Sequence, residues 1–301
     1  MLKKALSVLL CLLIIASLPD FVRSQTNASK KLRLFAGAGL FSPSFDAWNT
    51  GIEDLHNMLT MSAYTGSNAN PGIMEGGNYL DFGVEYFFTE NISAALSIGH
   101  FESDLSNPYT GEYTQNGTRP LCTIINNEQL EYKHDIRVNP ALISLAYTFK
   151  PLKNNEMISV FAGGGVGYYF SSIKNELYMD MNDTYLYKEA TVDTVISLDM
   201  LANLKANVNA PGYHLKSGIN INYGILNLNL EVGYHFAKAD IGEEDWTYFT
   251  QKYQYLLDTS VNYKCYETTL YQIREEQFDN LKIDELDLSG LMFKADIGLF
   301  F

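Results

Sequence analysis

Eight stretches of this chain alternate apolar and polar residues with a period of two. Beyond the N-terminal leader, no uncharged run reaches the length of a membrane-crossing helix. The stretches are 31–41, 79–88, 92–101, 136–149, 157–170, 213–224, 227–237 and 291–301. Each has roughly the 9–11 residues with which a tilted strand crosses a bilayer. The connections at 89–91, 150–156 and 225–226 are short, and those at 42–78, 102–135, 171–212 and 238–290 are long. Strict alternation of short and long connections is the pattern of an up-and-down barrel. Four connections of that length are uncommon in a compact soluble domain. The pattern predicts an all-β fold, a closed antiparallel transmembrane β-barrel of eight strands with long extracellular loops. Ten strands would follow if Thr191–Met200 paired as an extra hairpin.

The parity of each strand separates two faces. One face is uncharged; in 227–237 it holds Leu228, Leu230, Val232, Tyr234 and Phe236, and in 291–301 it holds Leu291, Phe293, Ala295, Ile297, Leu299 and Phe301. The other face holds Arg33, Asp81, Glu85, Lys216, Glu231, Lys294 and Asp296, with His214, His235 and ten glycines. An eight-stranded lumen is barely wide enough for side chains, so glycines and paired charges suit the inside and bulky aromatics the outside. Four acids facing three bases predict a paired charge network that fills the lumen. Outward aromatics gather at the two ends: Tyr86, Phe88, Tyr147, Phe149, Tyr223 and Phe301 at one rim, and Tyr168, Phe170, Tyr213, Tyr234, Phe236 and Phe293 at the other. Bilayer interfaces select such belts.

Residues 1–24 read as a secretory signal peptide: Lys3 and Lys4 precede fourteen uncharged residues, Ala5 to Leu18, and Val22-Arg23-Ser24 supplies the cleavage context. Residues 25–301 then form the barrel domain. The net charge of −14 argues against nucleic acid as a partner. Acidity concentrates in the loops: from Asp240 to Asp287 there are twelve acids against Lys252, Lys264, Arg274 and Lys282. Such a surface fits a solvated face, beside anionic lipopolysaccharide only where divalent cations bridge the two.

The final segment, Leu291 to Phe301, alternates to its last residue and ends on an outward Phe. It resembles the C-terminal signal of bacterial outer-membrane barrels. With the leader and the loop alternation, the chain resembles the eight-stranded outer-membrane barrel family of OmpA and OmpX, among the porin-family outer-membrane proteins. The resemblance implies integral placement in a Gram-negative outer membrane and an insertion machinery that reads the strand ending at Phe301. A peptidoglycan-binding domain of OmpA type is expected to be absent.

Other chemistry is thin. Cys122 and Cys265 fall in two long loops on one side of the membrane and are candidates for a disulfide. Gly163-Gly-Gly-Val-Gly167 lacks the Lys-Ser/Thr of a nucleotide loop and sits in a strand. His100 and His134 lie near the outer rim with Glu102, Asp104 and Asp135, in no spacing typical of outer-membrane proteases or lipid A hydrolases. No catalytic residue, cofactor or metal ligand is expected. The sequence predicts a structural or surface-interaction role, adhesion included, toward an unknown extracellular partner. The alternative is passive, porin-like passage of a small solute, with Arg33 or Lys294 as gate; an enzyme acting on lipid A or peptides ranks third.

Overall fold

The computed structural model describes residues 31–61, 64–66, 72–116, 122–151, 157–187, 194–256 and 284–301. The elements are β1 (Leu32–Pro43), helix α1 (Asp46–Met61), β2 (Tyr64–Gly66), β3 (Gly77–Phe87), β4 (Ile92–Asn116), β5 (Cys122–Phe149), β6 (Ile158–Tyr187), β7 (Thr194–Tyr223), β8 (Leu226–Asp240), β9 (Trp246–Leu256), β10 (Glu285–Asp287) and β11 (Gly290–Phe300). Eight of these strands close a ring in the order β11-β1-β3-β4-β5-β6-β7-β8, every neighbour antiparallel, with β8 paired back onto β11. This is a closed, eight-stranded, up-and-down barrel. Between β7 and β8 the chain reverses in two residues, helped by the positive φ of Gly224, 62°.

Four strands run well past the predicted ends. The stretches 102–135 and 171–212, expected as loops, consist largely of the hairpins β4–β5 and β6–β7. Of the segment read as a possible extra hairpin, 191–193 lie outside the described residues and Thr194–Met200 belong to β7, whose upper part pairs with β6 and β9. The wall therefore has eight strands. The connection 42–78 carries α1 and the short β2, which lies on the upper part of β4.

The alternation continues through these extensions, but its polarity inverts. On β5 the outward residues change from Phe149, Tyr147, Leu145, Ile143 and Ala141 to Asn139, Arg137, Asp135, Lys133 and Glu131. The inward ones change from Ala146, Ser144 and Leu142 to Val138, Ile136, His134, Tyr132 and Leu130, all buried. β6 inverts between Phe170 and Ser172, β7 between Pro211 and Asn209, and β8 between Phe236 and Lys238. The inversions lie on adjacent rungs, because Asn139 and Asn209 both pair with Phe170. They mark the edge where the medium around the barrel changes from apolar to aqueous. Below that edge, Leu291 to Phe301 rises about 25 Å at the usual strand rise and tilt, the height of a hydrocarbon band.

Above the edge the interior is an apolar core, and the charged, glycine-lined residues of the inward face lie in the lower half. The upper core is completed by α1. Its residues Trp48, Ile52, Leu55 and His56, with the preceding Phe45, are buried at helical spacing, while Asp46, Glu53 and Asp54 face out. Phe45 stacks on Phe101 with centroids 6.4 Å apart. Asn49 clamps the returning chain, donating to the Met74 carbonyl (3.1 Å) and accepting from the Met74 N–H (2.7 Å).

Candidate functional site

The lower lumen holds all seven charged residues of the inward face. Register explains how they fit. Gly37 lies opposite Asp81 on one side and Asp296 on the other, Gly39 lies opposite Lys294, Gly218 opposite Glu231, and Gly163 and Gly233 flank Lys216. The glycines thus supply the volume that the charged side chains fill. A Cβ on Gly37 would lie 2.4 Å from Asp81 Oδ1 and 2.9 Å from Asp296 Cβ. Gly37→Ala is accordingly expected to destabilise the barrel by about 1–3 kcal/mol through overpacking. Urea titration followed by the heat-modifiable gel shift of folded barrels measures it.

Within the cage, Arg33 Nε lies 2.9 Å from Glu85 Oε2, and Arg33 Nη1 lies 3.6 Å from Asp296 Oδ1. The same guanidinium donates to Asn227 Oδ1, and Ser93 Oγ donates to Glu85 Oε1 at 2.6 Å. Lys294 Nζ donates to Asp81 and stands 3.6 Å from Glu231 and 3.8 Å from Asp296. Lys216 reaches Glu231 at 3.9 Å. The buried Phe35 ring lies 5.0 Å from the Arg33 guanidinium carbon and 5.4 Å from Lys294 Nζ. With three cations among four anions, each charge has an opposite one within reach, as burial demands.

Two closures sit above and below the cage. Above it, Tyr79, Tyr169, His214 and His235 are buried together, with Tyr169 Oη 2.7 Å from His235 Nδ1 and the two imidazoles stacked at 5.6 Å. Phe41, Phe101 and then α1 follow. Below it, Asn227 bonds Asn222 at 2.8 Å and the rings of Phe87 and Phe300 pack at 5.6 Å.

The rim residues singled out in the sequence are split by parity. His134 points inward and bonds Asn175 at 2.9 Å, whereas its neighbour Asp135 faces out and bonds Arg137 at 2.8 Å. Burial pushes the Asp135 carboxyl above its ordinary value, with Arg137 pulling it down. His100 bonds Asn139 at 2.8 Å on the outer surface. Arg137 also holds Glu102 at 3.0 Å, so this part of the collar is internally paired. Phe301 is exposed on the outer wall, and its backbone N–H bonds the Leu32 carbonyl at 2.8 Å, tying the end of the chain to β1. Cys122 opens β5; Cys265 and the leader 1–24 lie outside the described residues.

Sequence reasoning missed α1 and the upper core. Both left a signal: Phe45, Trp48, Ile52, Leu55 and His56 recur at helical spacing, and Leu130 to Val138 alternates strictly with Glu131 to Arg137.

A closed barrel with an uncharged, apolar outer band, aromatic ends and a charged interior belongs to the class of membrane-spanning β-barrels. The exposed faces of Phe82, Ile98, Ile143, Val166 and Leu215 leave more apolar surface than a water-soluble wall tolerates. No family model and no curated protein matches the chain. Among solved structures it is similar to CarO of Acinetobacter baumannii, at 12% identity over 87% of this chain and 97% of that one, with a TM-score of 0.27. It is also similar to the translocator domain of the autotransporter NalP from Neisseria meningitidis, at 10% identity over 99% and 97% and a TM-score of 0.22. LpxR from Salmonella typhimurium matches at 8% identity over 90% and 100%, again with a TM-score of 0.22. At these scores the likenesses carry no weight beyond the wall's own side chains.

Proposed function

We propose that this chain is a non-conducting barrel of a bacterial outer membrane that acts at the cell surface through its tall extension. The observation that carries the reading is the closure of the interior at successive levels: the Phe87–Phe300 floor, the charge cage, the tyrosine–histidine layer and α1. Such filling supports a structural or interaction role over passage of a solute. In this reading the short turns face the periplasm and β4 to β7 stand outside the cell, as short periplasmic turns and long outer segments do in barrels of this class. β6 continues for about 55 Å of extended chain past Phe170, a platform suited to contact with a partner. The signal peptide at 1–24 delivers the chain, and insertion reads the strand ending at Phe301. The exposed acids Glu243, Glu244 and Asp245, with the ion pairs of Lys238 to Glu285 (2.8 Å) and Asp287 (3.2 Å), fit a neighbourhood of lipopolysaccharide bridged by divalent cations. The reading is non-enzymatic: His134 and His235 are buried inside the barrel, and His100 on the outer face bonds the Asn139 amide rather than a carboxylate or a hydroxyl.

Planar-bilayer recording tests the proposal. Purified full-length protein is expected to insert without stable conductance steps at neutral pH. Regular single-channel steps from the wild-type protein, lost in a Lys294 variant that still folds, would establish the porin-like alternative.

A further inference from the structure

Among the buried polar atoms of the upper core without a hydrogen-bond partner is a histidine nitrogen. His134 stands on the inner face of β5 and is 2% exposed. Its Nδ1 lies 2.9 Å from Asn175 Oδ1 on β6, so the Nδ1–H donates to that oxygen and Nε2 carries the lone pair. Nε2 is buried and has no hydrogen-bond partner. The Trp48 ring of α1 packs against the imidazole at right angles, centroids 5.7 Å apart. The helix that fills the barrel mouth is therefore seated on a histidine whose proton-accepting nitrogen is unpaired.

Among the described residues, the groups around it are neutral. β4 places Leu105 opposite His134, with Ser103 and Asn107 on the same inner face. β5 supplies Tyr132 and Ile136, β6 supplies Ile173, Asn175 and Leu177, and α1 supplies Trp48 and Ile52. The second imidazole of this chamber, His56 on α1, lies 3.2 Å from the Tyr109 hydroxyl. The charged residues of the same rungs, Asp104, Lys133, Asp135, Lys174 and Glu176, alternate onto the outer face, and Glu53 and Asp54 lie on the exposed side of α1. Among the described residues, no carboxylate faces His134 from α1, β4, β5 or β6.

We propose that α1 is a proton-released plug, seated while His134 is neutral and expelled from the barrel mouth when His134 is protonated at Nε2. An imidazolium in this chamber would find no counter-charge among the described residues and no acceptor for its Nε2–H, and undocking α1 would give that N–H water. Burial holds the docked imidazole below its ordinary value, with the Asn175 bond acting the other way. A basic group depressed in the docked state favours docking above its undocked value and loses it as pH falls through that value. With an undocked value of about 6.5, the docking constant falls by at most about tenfold per pH unit and at most about 25-fold between pH 7 and pH 5. Release would uncover the apolar wall formed by Tyr132, Ile136, Ile173 and Leu177, changing what the barrel mouth presents to a partner.

The sequence has two tryptophans, so full-length Trp246→Phe protein in detergent micelles makes Trp48 the sole reporter. Between pH 7.5 and pH 4.5 its emission is expected to shift to the red and its acrylamide quenching to rise. Both changes should reverse on return to neutral pH, while the heat-modifiable gel shift of the wall is unchanged. His134→Asn should abolish the transition, and His56→Gln should retain it. A transition that survives in His134→Asn, or disappears in His56→Gln, overturns the proposal, as does a Trp48 shielded throughout. If His134→Asn fails to seat the helix at all, an NMR titration of His134 in the wild-type chain decides: its midpoint must coincide with that of Trp48, and separate midpoints overturn the proposal.

Discussion

Lys294→Ala is expected to lower the unfolding free energy of the barrel by about 3–5 kcal/mol, the scale on which removing one partner strands buried charges. The side chain is 6% exposed and serves three carboxylates, those of Asp81, Glu231 and Asp296. Taking it away leaves four acids to Arg33 and Lys216, and Lys216 approaches only to 3.9 Å. Two carboxylates of the remaining set, Asp81 and Asp296, face Gly37 from its two neighbouring strands, which brings like charges together once the ammonium between them is gone. Lys150→Ala is the control. Its pair with Glu90 at 3.4 Å is largely exposed, and its loss should cost less than about 1 kcal/mol. Urea titration in micelles, with folded protein scored by gel mobility, measures both. Adding Asp81→Asn to Lys294→Met restores the charge balance and should recover part of the loss. If Lys294→Ala proves as mild as Lys150→Ala, the cage does not brace the barrel.

The eight-stranded wall was legible because its physics is local. Period-two alternation, the two-residue turn, expected at 225–226 and found one residue earlier at Gly224-Ile225, and the clean parity of strands such as Leu226–Asp240 each depend on neighbours in sequence. The seven lumen charges were legible for the same reason, since parity alone assigns them to one face. Their partners were not. That Arg33 meets Glu85 and Lys294 meets Asp81 follows from register between strands far apart in the chain. The upper half was misread for a different cause. A strand was expected to end where apolar residues left the outward parity, at Phe101 on β4 and Phe170 on β6. There the outer medium changes and the ladder continues, so inward and outward exchange character while the backbone does not. The polar run Glu131-Lys133-Asp135-Arg137 resembled a loop only when read without the intervening Leu130, Tyr132, His134, Ile136 and Val138. α1 lay inside the connection 42–78, expected as a long loop; its acids Asp46, Glu53 and Asp54 are the solvent face of an amphipathic helix. Its burial depends on a chamber that exists only once β4 to β7 have extended.

The position of the polarity inversion predicts a steep gradient along a single strand. Ile219 and Asn207 both face outward on β7, and both are free to carry a longer side chain into the surrounding medium. Ile219 sits in the middle of the apolar band, between Val160 on β6 and Leu230 on β8. Asn207 sits just past the inversion, opposite Ser172. In a phospholipid bilayer, Ile219→Arg is expected to cost about 2–4 kcal/mol, because a guanidinium at mid-depth must be dehydrated or drag water inward. Asn207→Arg should cost about 0–1 kcal/mol, since the arginine reaches water directly. The contrast isolates the medium: both variants place the same residue outside the same strand and leave the lumen untouched. Reversible folding into vesicles at graded urea measures the pair. Equal costs at the two positions would mean that the apolar band does not meet hydrocarbon. A gradient that turns elsewhere than between Phe170 and Ser172 on the neighbouring strand would move the edge of the membrane, and with it the base of the extension through which the barrel is proposed to act.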